Sequence, residues 1–214
     1  MRARHSCSSS LLLGLAVVVA GCGSPGTHPA IPAIPAPGLP STSSSAAPPG
    51  TSSPVATESA PPGDIPDNLA FVRFDSAAGH YSFTHPEGWT QTGSGTGVRF
   101  TDKLNCVSVD SEASTQQPTV ASARTSEAAR LAAQVPAFEL RDVQQASLPG
   151  GAAVRLTYRQ NSAPDPVTGK VYRDEVEEYL VQRSGRLVRM TLSGPLGADN
   201  VDAYRTMSRS LVIR

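Results

Sequence analysis

The chain changes composition abruptly at residue 66, and this boundary limits how much of it can fold. Of the 44 residues from 23 to 66, 36 are Pro, Ser, Thr, Ala or Gly, and none is aromatic, Lys or Arg. Such a segment buries too little apolar surface to offset the entropy of ordering it, so we expect a disordered tether with local polyproline II character. The remaining 148 residues, 67–214, are enough for one domain that folds around its own core.

The tether leaves two interpretations open. Runs of Ser and Thr beside prolines, at residues 41–45 and 51–53, are compatible with a glycosylated stalk as well as with a passive spacer. As a flexible coil the tether would reach roughly 36 Å.

Residues 1–21 have the pattern of an export signal. Arg2 and Arg4 supply a positive start, and the apolar run at residues 11–20 (LLLGLAVVVA) is too short to span a membrane. The following Val19-Ala20-Gly21-Cys22 resembles the lipobox of bacterial lipoproteins. That resemblance implies cleavage after Gly21 and diacylation of Cys22, and two acyl chains attach a protein stably to a membrane. The alternative is an ordinary signal peptide followed by a chance cysteine.

The organisation that follows is a signal peptide at 1–21, a lipidated Cys22 with its tether at 22–66, and a domain at 67–214. Cys7 leaves with the signal peptide and Cys22 carries lipid, so Cys106 is the one cysteine in the predicted domain. We therefore expect no disulfide within the domain, although the oxidising compartment would permit one. Cys106 lies in a strand pattern, where a free cysteine usually behaves as a small buried hydrophobe.

The charge balance excludes two classes of partner. The chain has 18 Lys and Arg against 18 Asp and Glu, so its formal net charge is zero. Non-specific binding to nucleic acid needs a basic footprint, and a polybasic attachment to anionic lipid needs a cluster of cations. We expect neither nucleic-acid binding nor a membrane contact other than the lipid at Cys22.

The patterns along 67–214 favour an α+β fold. A helix is predicted over Val120–Gln134 with Ala121, Ala128, Leu131, Ala132 and Val135 on one face, and Pro136 ends it. A second helix begins near Asp199. Grouped strands before and between these helices predict a mostly antiparallel sheet sandwiched by helices. The predicted strands lie near Phe71–Phe74, His80–Thr84, Val98–Thr101, Asn105–Ser111, Phe138–Gln144, 152–159, Tyr172–Gln182 and 188–192.

One stretch of the predicted domain resembles a known family. Residues 80–89 (HYSFTHPEGW) have the aromatic-x-aromatic and Pro-x-Gly-Trp pattern that opens PsbP-like domains. Residues 97–102 and 106–109 are similar to the next two strands of that family. With its lipobox and tether, the chain looks like an actinobacterial LpqN-type lipoprotein. The resemblance implies a PsbP-like α/β/α sandwich and a non-enzymatic accessory or binding role, and it implies no catalytic residues.

The residues that could carry chemistry lack the motifs that would support it. Cys106 with His80 or His85 could form a Cys-His nucleophile or a metal site, but no hydrolase signature, helical His pair or CxxC pattern is present. The glycine-rich loop at 93–97 precedes a strand rather than a helix, so we interpret it as a hairpin loop. We therefore predict no catalytic residue, no metal ligand and no cofactor.

Two further features have competing interpretations. The acidic stretch Asp174, Glu175, Glu177 and Glu178 could supply a glycosidase-like carboxylate pair. We favour a solvated charged face of a strand, in which the acidic residues pair across the sheet with Arg155, Arg159, Arg173 and Arg189. Trp89, the single tryptophan, is either part of the core or a contact residue for a partner.

The sequence thus predicts a non-enzymatic binding or accessory module of the cell envelope, anchored by lipid on the outer, extracytoplasmic face of the cell membrane. Its partner would be an envelope protein, a glycan or a lipid. Two alternatives stay open. The first is a small extracytoplasmic hydrolase built on His80, His85 and a carboxylate, and the second is a carrier of an apolar lipidic ligand.

Lipidation is directly testable. Mass spectrometry of the mature protein should find an N-terminal peptide that begins at acylated Cys22, because the lipobox pattern places cleavage after Gly21. The substitution Cys22→Ala removes the acceptor thiol and should release the protein into the medium. An unmodified Cys22, with cleavage at another position, would contradict the anchor.

Overall fold

The structure is a computed structural model that describes residues 53–56 and 63–214. The predicted signal peptide, Cys22 and most of the tether lie outside the described residues. Within the described part of the chain, no helix is long and apolar enough to cross a membrane.

The described residues form ten strands and two helical segments. The middle helix consists of three consecutive pieces, an α-helical turn Val120–Ser122, a π-helical turn Ala123–Glu127 and an α-helix Ala128–Gln134. The C-terminal helix is Val201–Arg209. The strands are β1 Phe71–Ser76, β2 Tyr81–Pro86, β3 Thr90–Thr92, β4 Gly97–Asp102, β5 Asn105–Ala113, β6 Glu139–Leu148, β7 Gly151–Asn161, β8 Arg173–Arg183, β9 Arg186–Pro195 and β10 Val212–Ile213.

The strands form two antiparallel sheets. The larger sheet has the order β3-β4-β5-β9-β8-β7-β6, and the smaller sheet has the order β1-β2-β10. Tight turns connect β6 to β7 and β8 to β9, whereas residues 162–172 form a longer loop between β7 and β8. In the β8–β9 turn both Ser184 and Gly185 have positive φ, as a two-residue hairpin of this twist requires. The α+β class and the eight predicted strands are confirmed, whereas β3 and β10 were not predicted.

The middle helix covers one face of the larger sheet, which we call the back face. Alternate residues of β7 and β8, including Leu156, Tyr158 and Val176, are fully buried there against Leu131 of the helix. The helix begins with a capping box between Thr119 and Ser122. It ends at Gln134, as predicted, and Val135 before Pro136 is extended.

The π-helical turn changes which helix residues face the sheet. Ala121 and Ala132 were predicted on the apolar side but are exposed, whereas Ala123 and Glu127 are buried. A π turn inserts an extra residue into the helical repeat, so the buried stripe no longer follows one regular spacing.

The opposite face, which we call the front face, is covered by two elements. The C-terminal helix buries Met207 against Met190 and neighbouring residues of the sheet. The smaller sheet packs beside it through an aromatic cluster, in which the Phe100 ring lies 5.4 Å from that of Phe74 and 5.9 Å from that of Phe83 in edge-to-face geometry. Trp89 is 8% exposed and belongs to this core.

The layering is therefore richer in sheet than the predicted helix sandwich. Helices cover both faces, but on the front face the helix shares the cover with a second sheet. The two-residue strand β10 pairs with β2 and completes the second sheet. It is too short to give a periodic signal, because alternation needs about four residues to be recognised.

Packing extends a few residues upstream of residue 67. Ile65 is buried in the front-face core, and its N–H donates to Asn200 Oδ1 at 2.7 Å. Asn200 Nδ2 donates to Asn105 Oδ1 at 2.9 Å, and Asn105 Nδ2 donates to the Gly63 carbonyl at 2.8 Å. The side-chain amides of Asn105 and Asn200 therefore bind each other and also hold the main chain of Gly63 and Ile65 against the domain.

Cys106 is buried in β5 on the back face, opposite Ser193 of β9. The burial of Cys106 in a strand is as predicted.

The close packing around Asn105 and Asn200 predicts an asymmetry between two glycines in strands. A Cβ at Gly194 would overlap Asn105 Oδ1 and lie 2.8 Å from Asn200 Nδ2, whereas a Cβ at Gly97 would meet its nearest neighbour at 3.8 Å. We expect Gly194→Ala to lower the free energy of unfolding by about 1–3 kcal/mol, the usual cost of overpacking. Gly97→Ala is the matched control and should stay near the wild-type value in denaturant unfolding. Equal effects of the two substitutions would contradict this packing.

Candidate functional site

An open groove runs along the front face where the covering elements leave the outer strands uncovered. Its volume is about 570 Å³, and it lies between the C-terminal helix and strands β6, β7 and β8. The helix packs on the middle of the sheet through Ala203 and Met207, so the front face of β6 and β7 has no cover beyond it. The groove is a consequence of this off-centre packing.

The floor of the groove is polar. Gln144, Arg155 and Tyr179 are opposite one another across β6, β7 and β8, and Thr157 is opposite Glu177 in the next row. Because successive side chains of a strand point to opposite faces, these residues share the front face while their neighbours are buried behind it.

The charges on the floor neutralise one another. Arg155 Nη1 lies 3.4 Å from Glu177 Oε1, and the Tyr179 hydroxyl donates to Glu177 Oε2 at 2.7 Å. With its amide oxygen turned toward the guanidinium, Gln144 accepts from Arg155 Nε at 3.2 Å. Arg159 and Glu175 form a longer ion pair of 3.9 Å further along the same face. The floor thus offers donors and acceptors side by side with no net charge.

The wall of the groove belongs to the C-terminal helix. Tyr204, Arg205 and Ser208 line this side. Burial raises the pKa of Tyr204 above its usual range, so its hydroxyl stays protonated at neutral pH and can donate a hydrogen bond. Arg205 is exposed and lies 2.8 Å from Asp202 on its own helix. The wall thus adds hydrogen-bonding groups beside the exposed apolar side chain of Val201.

A buried ionic cluster lies on the back face, under the middle helix. Glu127 Oε1 accepts from Arg130 Nε at 2.8 Å and from Arg189 Nε at 3.1 Å. Arg189 also donates to Glu112 at 2.8 Å, and Arg130 Nη2 lies 3.4 Å from Glu178 Oε1. The cluster joins the helix to β5, β8 and β9.

The pKa values of the two carboxyl groups of this cluster shift in opposite directions. Burial and the neighbouring Glu127 raise the pKa of Glu178 well above its usual range. Burial also tends to raise the pKa of Glu127, but hydrogen bonds from Arg130 and Glu178 and the charge of Arg189 outweigh it and bring this pKa to about 2. Of the two carboxyl groups, Glu178 is therefore the one that holds a proton more readily and can donate a hydrogen bond to Glu127.

A second buried acid lies near the end of β8. Asp174 is 5% exposed and is opposite Gln160 of β7, and each of these side chains has one oxygen without a hydrogen-bond partner among the described residues. Burial raises the pKa of Asp174 to about 7, although a hydrogen bond from Gln160 opposes the shift. Asp174 consequently changes charge close to neutral pH.

These positions correct the prediction of one solvated charged face. Glu175 and Glu177 are partly exposed on the front face and pair with Arg159 and Arg155 as predicted. Asp174 and Glu178, in contrast, are buried on the back face. The middle helix covers the back face of β8, so the alternation of this strand buries every second carboxyl group. Hydrophobic periodicity does not reveal this cluster, because its cations come from distant elements.

The histidines of the hydrolase alternative do not meet in the groove. His80 is exposed in the turn before β2. His85 is buried with its ring stacked 3.6 Å from that of Phe100, and burial lowers its pKa. In the described ranges, no group of three or more His, Cys, Asp or Glu is placed to hold a metal ion. Residues 93–97 connect β3 to β4 as a hairpin loop, as predicted.

Comparisons with known proteins return resemblances of shape. No family model and no curated protein sequence matches the chain. Cyanobacterial PsbP (CyanoP) from Synechocystis is 17% identical over 71% of this chain and 98% of its own, with a TM-score of 0.48. The Ran-binding protein Mog1p of Saccharomyces cerevisiae is 10% identical over 68% and 96%, with a TM-score of 0.45.

A third similar structure is LpqN of Mycobacterium tuberculosis, described as involved in cell envelope biogenesis. It is 13% identical over 69% of this chain and 86% of its own, with a TM-score of 0.39. The three structures are similar to this chain in shape only, and their functions are not assigned to it.

The position of Asp174 predicts a pH-dependent difference in stability. The folded pKa of about 7 exceeds the ordinary 3.8, so the unfolded chain loses this proton first as the pH rises. The free energy of unfolding therefore falls between about pH 4 and pH 7, and the penalty is complete above pH 7. Asp174→Asn removes the ionisation and should stabilise the protein at pH 8 by up to the order of 4 kcal/mol.

The measurement is denaturant unfolding of both proteins at pH 4.5 and pH 8. The difference between variant and wild type should be small at pH 4.5 and large at pH 8. Other titrating groups, Glu178 included, are shared by the two proteins and cancel. A difference that does not change with pH would show that Asp174 is already ionised at the lower pH.

Proposed function

We propose that the protein is a non-enzymatic binding module of the cell envelope, held at the outer face of the membrane by lipid on Cys22, and that the groove binds a hydroxyl-rich ligand such as an envelope glycan. The groove is the observation that carries the binding role. The lipobox pattern at residues 19–22 supports the anchor, and it is independent of the groove.

The paired charges of the floor favour a neutral polar ligand. Arg155 and Glu177 lie 3.4 Å apart, so two adjacent hydroxyl groups could accept from the guanidinium and donate to the carboxylate while the ion pair remains intact. A strongly charged ligand would have to compete with one member of the pair. Hydrogen bonds to charged partners are also stronger than those between neutral groups.

The polar floor argues against the lipid carrier, and the position of His85 argues against the hydrolase. An acyl chain in the groove would remove water from Gln144, Arg155, Thr157 and Glu177 without replacing its hydrogen bonds, which is costly. A hydrolase built on His80 and His85 would need both imidazoles in one pocket, but His85 is stacked on Phe100 in the front-face core. The polar groove is more compatible with binding.

Calorimetric titration with solubilised oligosaccharides from the cell envelope tests this proposal. Arg155→Gln and Glu177→Gln each remove the charge from one hydrogen-bonding group of the floor. Each should weaken binding by about 10-fold or more, because a hydrogen bond to a charged group contributes about 1.5–3 kcal/mol.

Arg73→Gln is the matched control. Arg73 forms an exposed ion pair with Asp75 on the smaller sheet, at 2.8 Å and outside the groove, and its loss should leave binding unchanged. Affinity that is insensitive to Arg155→Gln, or binding of acyl-lipid vesicles through the groove in place of oligosaccharides, would contradict the proposed ligand.

A further inference from the structure

The end of β7 carries a polar side chain that is occupied by main chain from far upstream. Asn161 is 5% exposed and is the last residue of β7, opposite Arg173 at the start of β8. Its Nδ2 donates to the Ser53 carbonyl at 2.8 Å, and its Oδ1 accepts from the Val55 N–H at 3.1 Å. The donor and the acceptor of this buried side-chain amide therefore both bind a segment that lies more than 100 residues away in the sequence.

Arg173 fixes the orientation of this amide. Its Nη1 lies 3.4 Å from Asn161 Oδ1 and donates to the Ala137 carbonyl at 2.8 Å, while its Nη2 donates to Glu139 Oε2 at 2.8 Å. A guanidinium donates only, so the atom that faces it must be the amide oxygen. The side chain is thus set in place by buried partners of the domain rather than by the segment it holds.

The two hydrogen bonds skip the residue between them. In a parallel sheet, each hydrogen-bonded residue makes the same pair of contacts with the neighbouring strand. It binds the carbonyl of the residue before, and the N–H of the residue after, the residue that lies opposite it. Pro54 occupies this central position, where its missing N–H costs nothing. Proline also restricts Ser53 to extended conformations, so less entropy is lost when the segment binds.

We propose that the end of the sheet at Asn161 and Arg173 is a binding site for an extended main chain centred on a proline, and that residues 53–55 of this protein are its occupant. The site forms hydrogen bonds with main-chain atoms only, so it requires an N–H one residue after the proline and no particular side chain. It fastens the tether to the domain well upstream of residue 67 and thereby shortens the free tether. The proposal does not depend on what the groove binds.

Substitutions at Val55 test the contact with Asn161 without altering the folded core of the domain. Val55→Pro removes the N–H that donates to Asn161 and lies outside the folded core, so it should release the segment and leave the domain folded. Val55→Ala retains the N–H and is the matched control. Asn161→Ala removes the receptor side of the same contact, and unfolding of this variant by temperature shows whether the domain is intact.

The measurement is the NMR order parameter of the Ala56 amide in the full chain. In the wild type and in Val55→Ala it should approach about 0.85, the value of rigid backbone, and in Val55→Pro and Asn161→Ala it should fall below about 0.6. A value below about 0.6 in the wild type, or a rigid Ala56 in Val55→Pro, would overturn the proposal.

Discussion

The contact between Glu127 and Arg189 is the interaction on which the back half of the structure depends. Glu127 Oε1 lies 3.1 Å from Arg189 Nε in a region that the middle helix closes to water. A charge buried without its partner costs several kcal/mol, so the helix can lie on the sheet only in a position that brings these groups together. Glu178 lies in the same cluster beside Arg130, and burial and the charge of Glu127 raise its pKa well above the usual range.

This arrangement on the back face explains the openness of the front face. Alternation along β7 and β8 gives the back face the large apolar side chains and the ionic cluster, whereas the front face of the same strands receives Arg155, Thr157, Glu175 and Glu177. The C-terminal helix and the smaller sheet bury the apolar middle and the β4 side of the front face. They leave the stripe of Arg155, Thr157, Glu175 and Glu177 uncovered, since covering these polar side chains would bury little apolar surface. The groove and the buried cluster are therefore two sides of one alternating pattern.

The sequence predicted what local periodicity can encode. Alternation along 152–159 and the Ser184-Gly185 turn were enough for β7, β8 and β9, and Pro136 marked the end of the middle helix. Features that depend on distant residues were not predicted: the π turn that buries Glu127, the pairing of β10 with β2, and the burial of Asp174 and Glu178. The groove was also missed, because its floor on β6, β7 and β8 and its wall on the C-terminal helix come from separate segments, and polar residues in each look like ordinary surface.

A double-mutant cycle on Glu127 and Arg189 measures the central interaction directly. Glu127→Leu and Arg189→Met each remove one member of the contact and leave the other buried charge with one partner fewer, and each should destabilise the protein by about 3–5 kcal/mol. The double variant removes both charges together. The account predicts that its loss in free energy of unfolding is smaller than the sum of the single losses by at least about 1 kcal/mol. Additive losses would mean that the two residues act independently, and would contradict the view that this pair sets the middle helix on the sheet.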